Sequence, residues 1–285
     1  MTPGLPAHGP PHAYARPVLS INDPRTGGPV AATPARRGLT RVVAHVPRPD
    51  ATGLRVILVA DVLVRALEIG GTPVWTVLSA AEGRAELRAR AGQLGIRPFE
   101  DAQDTTPGLG EAQVLHVLAA TDADADRNAD TDVGTDAGTD GGGPADGGAA
   151  GGLRVEVAPA RLAAGVADDA DSATALRLAL LARPRREPLD LGAADLAEAG
   201  DRLEHWRGAV ATWATRPSGP IPDPVRDQLR AAWEDDLDVP AVLDVLRRVE
   251  TSGTVPDGAR FETYAYADRL LGLELTRDIG RGAPA

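Results

Sequence analysis

Between Thr121 and Gly152 the chain carries eight aspartates interspersed with Ala, Thr and Gly, a single arginine at Arg127 and no large apolar residue. Such a stretch cannot remove enough apolar surface from water to offset the entropy of ordering it, so it is expected to be a disordered linker. It divides the 285 residues into segments able to fold on either side, 16–121 and 153–285, with 122–152 as the linker and 1–15 as a disordered tail. Asp122, Asp124 and Asp126 have the spacing that opens a calcium loop. Arg127 replaces the turn glycine and Val133 the closing glutamate, so the segment reads as solvated linker rather than as an ion site.

In the first segment, Val18, Leu19 and Ile21 precede the turn residues Asn22, Asp23 and Pro24, and Gly27-Gly28-Pro29 marks a second reversal, a pattern that predicts a β-hairpin. Leu39 to Val46 has the apolar content of a buried strand. Pro47 to Gly53 reads as a loop, and from Leu54 to Ile69 apolar residues recur at three and four before Gly70-Gly71, as in a helix with a glycine stop. Val74 to Leu78 is the next strand. Strand, helix, strand is the right-handed crossover of an open parallel sheet. Helices are further expected over Ala80–Leu94 and Glu111–Leu118, leaving three or four strands in a reduced Rossmann-like half.

After a short strand at Leu153–Val157 the second segment reads as an α-helical bundle. Helices are predicted near Ser172–Ala182, Ala194–Ala214, Pro224–Glu234, Pro240–Glu250 and Gly258–Leu271, with Ser172, Asp223-Pro224 and Asp238 as start signals and Gly272 as a stop. Leu196, Ala199, Leu203, Trp206 and Val210 fall on one helical face, so Trp206 and Trp213 are expected in the core. The fold class is therefore α/β followed by all-α.

Composition narrows the chemistry. All 30 positive residues are arginine, and a chain with no lysine offers neither a Schiff-base amine nor a P-loop ammonium. With no cysteine there is no disulfide, thiolate nucleophile or sulfur-ligated zinc. A net charge of −11 opposes general nucleic-acid binding. No run of about 18 apolar residues is present, which excludes a membrane-spanning helix, and the tail has no apolar signal core. The expected compartment is the cytoplasm. Aromatics make up only 3%, so the core must come from Leu, Val and Ala, and modest stability is expected.

Several stretches, in order, resemble class I cysteine-specific aminoacyl-tRNA synthetases and the related ligases that join cysteine to a sugar amine. Val18-Leu19-Ser20-Ile21-Asn22-Asp23 resembles their opening strand. Pro49-Asp50-Ala51-Thr52-Gly53-Leu54 resembles the loop into the first nucleotide-binding signature, and Asp61-Val62-Leu63-Val64-Arg65 the helix behind it. After the linker, Ala175–Leu181 resembles the helix following the second signature, and Leu203-Glu204-His205-Trp206-Arg207 a bundle helix. Asp235-Asp236-Leu237-Asp238-Val239-Pro240-Ala241 is similar to an acidic turn, and Ala267–Leu273 to the closing helix.

The resemblance implies ATP and zinc chemistry that these residues do not carry. Where the family has His-x-Gly-His, this chain has Gly53, Leu54, Arg55 and Val56, and the first zinc cysteine falls at Ala44. The lysine loop of the second signature has no counterpart. Catalytic residues and metal ligands are therefore expected to be absent, zinc is not expected, and the first reading is a non-catalytic paralogue that binds a protein partner, a nucleotide or an RNA end. An alternative is an ATP-dependent cysteine ligase in which arginines stand in for the missing groups. Its nucleotide-binding candidates are His45, Arg48, Arg55 and Arg161, with Asp50 and Thr52 as turn and cap residues or substrate contacts. A third is a structural adaptor working through the helical half. His205, His8, His12 and His116 have no metal-ligating neighbours in sequence and are read as surface residues.

Overall fold

The computed structural model describes residues 19–32, 38–102, 111–120, 152–163 and 170–281. The predicted hairpin is β1 (Ser20–Asp23) paired antiparallel with β2 (Gly28–Ala31). A parallel sheet follows from β3 (Leu39–Val46), β4 (Val74–Ala80), β5 (Glu100–Asp101), β6 (Glu111–Ala119) and β7 (Leu153–Val157), in the spatial order β5-β4-β3-β6-β7. Counted from β3 this is 3-2-1-4-5, the strand order of a Rossmann-type sheet. Five strands make it rather than three or four, because Glu100–Asp101 adds a short edge strand, Glu111–Ala119 is a strand, and Leu153–Val157 joins this sheet.

The helix expected over Glu111–Leu118 is strand β6, pairing with β3 along Thr40–Ala44 and with β7 along Leu115–Ala119. Val114-Leu115 and Val117-Leu118 form the short continuous apolar run of a strand covered on both faces, which periodicity alone does not separate from a helix. Leu153–Val157 is a strand as expected. Its hydrogen bonds run to β6, so residues from both sides of the aspartate-rich stretch build one sheet. The tail, that stretch up to residue 151 and the triplet Asp122, Asp124 and Asp126 lie outside the described residues.

Helix α1 (Ala51–Ile69) begins three residues before the expected Leu54 because Asp50 caps it, its carboxylate accepting from the Gly53 amide at 2.8 Å. The helix is apolar almost all round, and Leu54, Val56, Leu58, Leu63 and Leu67 are sealed from solvent. That composition fits a helix with no solvent face. One side of α1 packs across β3, β4, β6 and β7, the other against helices, among them α2 (Arg84–Gln93).

Beyond the sheet come β8 (Ala160–Leu162), α3 (Ala170–Leu181) and β9 (Leu189–Leu191), then α4 (Ala193–Trp213), α5 (Asp223–Glu234), α6 (Val239–Thr251) and α7 (Asp257–Leu271). β8 and β9 form a two-stranded parallel pair that the sequence reading did not include. The bundle core is aromatic at its centre, with Trp206 and Trp213 edge-on to Tyr264 at ring distances of 5.9 and 5.1 Å. Both tryptophans are buried, as their helical spacing predicted. None of the described helices is long and apolar enough to cross a membrane.

The hairpin is stitched to the bundle rather than to the sheet alone. The Asp236 amide donates to the Ser20 carbonyl at 2.9 Å, and the Asn22 amide donates to the Asp236 carboxylate at 2.8 Å. Asp236 also pairs with the buried Arg185. To present both its amide and its carboxylate to the hairpin, the turn holds Asp236 and Leu237 at φ values of 54° and 57°, a region that L-residues occupy at a cost.

Candidate functional site

In a doubly wound sheet, ligands bind outside the carboxyl ends of the strands where the order reverses. Here that point lies between β3 and β6. Alternation along β3 turns Val42, Ala44 and Val46 toward α1 and Arg41, Val43 and His45 to the opposite face. His116 of β6 lies on that opposite face, and His45 Nε2 is 2.9 Å from His116 Nδ1, with the rings tilted by 35°. One nitrogen of this pair donates and the other accepts, so the contact requires at least one neutral imidazole.

The surroundings favour neutrality. Burial, then the neighbouring His45 and the guanidinium groups of Arg154, Arg41 and Arg25, lower the His116 pKa from its ordinary 6.5 to about 4. Arg25 is itself held by Asp23 at 2.8 Å and donates to the Gly152 carbonyl at 2.6 Å. The sheet thus gathers two imidazoles and three guanidinium groups around β3, β6 and β7. Sequence reading singled out His45 but took His116 for a surface residue without metal-ligating neighbours; the structure instead sets it against His45 and partly buries it. Reading the run as a strand would have placed it beside His45.

The other candidates do not join this group. Arg55 is 1% exposed and points into the protein, donating to the carbonyls of Ala158 at 3.0 Å, Glu187 at 2.7 Å and Pro184 at 2.8 Å. Burial lowers its pKa to about 10, still leaving it charged at neutral pH. Its donors hold the chain after β7 against the loop before β9. Thr52 Oγ1 accepts from the Ala160 amide at 3.1 Å and donates to the Ala160 carbonyl at 3.2 Å, fixing the start of β8 to the first turn of α1. Asp50 is the helix cap, and its other oxygen lies 3.6 Å from the Arg48 guanidinium, a pair open to solvent. Arg161 is 85% exposed and sits 3.8 Å from Asp190 across the β8–β9 pair.

The positions that the family resemblance sets against the first signature are closed. A Cβ at Gly53 would lie 2.6 Å from Val46 Cγ1 and closer still to the Arg48 carbonyl oxygen. Val56 is fully buried. Pro49 continues the closure by packing its ring on Gly83, which holds a φ of 58° at the start of α2, while Arg90 donates to the Pro49 carbonyl at 3.0 Å. Ala44 is sealed in the core and offers no donor. Among the described residues no three His, Cys, Asp or Glu side chains converge on a metal position. The residues present do not fit the zinc that the family resemblance implies.

No known family profile matches the chain. Curated proteins do. An L-cysteine:1D-myo-inositol 2-amino-2-deoxy-alpha-D-glucopyranoside ligase of Streptomyces griseus is 39% identical over 105 residues, and one of Streptosporangium roseum 42% identical over 106, each match covering 35% of this chain and 25% of the relative. A ligase of the same name from Catenulispora acidiphila is 46% identical over 72 residues, 25% of this chain and 16% of its own length. Over about a third of its length, therefore, this chain is similar to cysteine:inositol-glucosaminide ligases, class I cysteinyl-tRNA synthetase-like enzymes of which the matched stretch spans about a quarter.

Proposed function

We propose that this chain is a cysteine-ligase-like protein that acts by binding rather than by activating an amino acid. The observation that carries this reading is the packing at Gly53–Val56, the positions that the resemblance sets against the family's first nucleotide signature. Adenylate formation needs donors fixed where charge develops on the triphosphate. Gly53 has no room for a side chain, Arg55 spends its donors on three backbone carbonyls, and Val56 is buried. No lysine exists in the sequence to supply a substitute ammonium. Sheet and bundle pack through apolar side chains and need no ligand to do so, so the fold can persist without the reaction. Its surfaces would then serve a protein partner or an RNA end.

The test is ATP–pyrophosphate exchange on the purified chain with and without cysteine. No exchange above buffer is expected in either case, and cysteine-dependent exchange would overturn the reading.

A second reading, nucleotide binding retained without chemistry, is favoured by the His45–His116 pair at the strand-order reversal with Arg41 and Arg154 nearby. A ligand that binds only the folded state raises its melting temperature by mass action. Under this reading ATP raises the Tm, and His45→Ala removes the effect. An unchanged Tm at millimolar ATP eliminates it.

A further inference from the structure

A cleft of about 180 Å³ opens between α3, β9, α4 and α6, on the bundle and away from the sheet. Its apolar lining is made by Leu178, Ala179, Leu191, Ala199 and Leu243, all buried. Arg183, Arg202 and Arg247 stand around it together with Asp195 and Glu198. The two carboxylates are already engaged. Asp195 accepts from the Gly192 amide at 2.8 Å, closing the first turn of α4, and Glu198 pairs with Arg202 at 2.9 Å. Arg247 pairs with Asp244 one turn earlier on α6. Arg183, just beyond the end of α3, makes no ion pair or hydrogen bond among the described residues.

From this arrangement we infer that the cleft binds a small organic carboxylate, its apolar body against Leu178, Leu191 and Leu243 and its carboxylate on the Arg183 guanidinium. Arg202 and Arg247 are matched by Glu198 and Asp244, which leaves Arg183 as the cleft guanidinium with no ion pair among the described residues to meet a negative guest. A guanidinium fork matches a carboxylate in geometry, and the bond is charge-assisted on both sides. A cleft of this size suits a small acid. An apolar floor with a guanidinium at its rim can fix the orientation of a small amphipathic ligand. The inference is independent of whether the chain activates cysteine, since no cleft residue belongs to the signature positions or to the histidine pair.

The experiment titrates the full chain with 3-methylbutanoate, with 3-methylbutanamide as its uncharged counterpart, and follows amide chemical shifts of α3, α4 and α6. Saturable shifts confined to these helices are expected for the acid, with the amide weaker by about ten-fold, the share of one charge-assisted hydrogen bond. Arg183→Gln, a surface change that leaves the core intact, should weaken the acid by a similar factor and leave the amide unchanged. Ala182→Leu, which narrows the mouth of the cleft, should weaken both. Equal binding of acid and amide, retained affinity in Arg183→Gln, or no saturable shift with either probe overturns the inference.

Discussion

Arg177 reaches from α3 to Asp61 on α1 and donates to its carboxylate at 2.7 Å, with the two side chains 0% and 1% exposed. The same guanidinium donates to the Leu271 carbonyl at 2.6 Å and the Leu94 carbonyl at 3.0 Å, so one side chain ties α1 and α3 to the ends of α2 and α7. Arg65 adds a second cation to Asp61 at 2.8 Å, one helical turn away. Burial pushes the Arg177 pKa down, and the Asp61 carboxylate opposes that push. An isolated charge here would be untenable; a pair with every strong donor satisfied is not.

Breaking that pair from one side should therefore cost far more than a surface ion pair. Asp61→Ala leaves the Arg177 and Arg65 charges facing an apolar gap, and a loss of about 3–5 kcal/mol is expected. Replacing both, Asp61→Leu with Arg177→Met, should restore part of it. Urea unfolding of Asp61→Leu, Arg177→Met and the double variant, read with the parent protein as a double-mutant cycle, measures the coupling.

Gly53 tests the closure of the signature loop. Gly53→Ala puts a methyl against Val46 and the Arg48 carbonyl, where the loop must move to admit it. Destabilisation of about 1–3 kcal/mol is expected, against the gain that an Ala substitution normally brings to a helix interior. A midpoint shift toward higher urea would show that the loop yields freely.

Arg55 separates a structural strut from a phosphate ligand. Because its donors serve the carbonyls of Ala158, Pro184 and Glu187, Arg55→Met should cost about 2–4 kcal/mol by leaving them unpaired. Any affinity for ATP should be unchanged in material still folded. A variant of full stability that had lost nucleotide binding would reverse the assignment.

His116 predicts a pH dependence of known sign. Its folded pKa lies below the ordinary 6.5, at about 4, so the unfolded chain takes up the proton first. The contribution is complete above pH 6.5, fades as pH falls through that value, and is lost once pH reaches about 4. His116→Asn should therefore flatten this part of the stability profile between those limits while leaving the acid limb set by carboxylates. Urea midpoints of both proteins across that range make the comparison. Parallel curves would mean that the imidazole is free to protonate in the folded state.

Periodicity and punctuation placed α1, β3, β4 and the five bundle helices close to where they lie, because each is a local pattern. Apolar recurrence at three and four and a stop at Gly70-Gly71 operate within a few residues, while the Asp50 cap moved the start of α1 ahead of the expected Leu54. Glu111–Ala119 failed for the opposite reason: a short apolar run carries no period, and what makes it a strand is the hydrogen-bonding edge of β3 more than sixty residues earlier. β8 and β9 escaped for a similar reason, their pairing being set by Thr52 and Arg55 reaching across from α1.

The candidate site divides in the same way. From the sequence alone, the absence of lysine and cysteine removed whole classes of chemistry, and the order of motifs pointed to cysteine ligases. Only the folded chain decided that Arg55 turns inward and that His45 meets His116. Those outcomes depend on strand order and on which side of a sheet a residue faces. Such relations arise when distant segments pack to bury apolar surface, and no local run of residues encodes them.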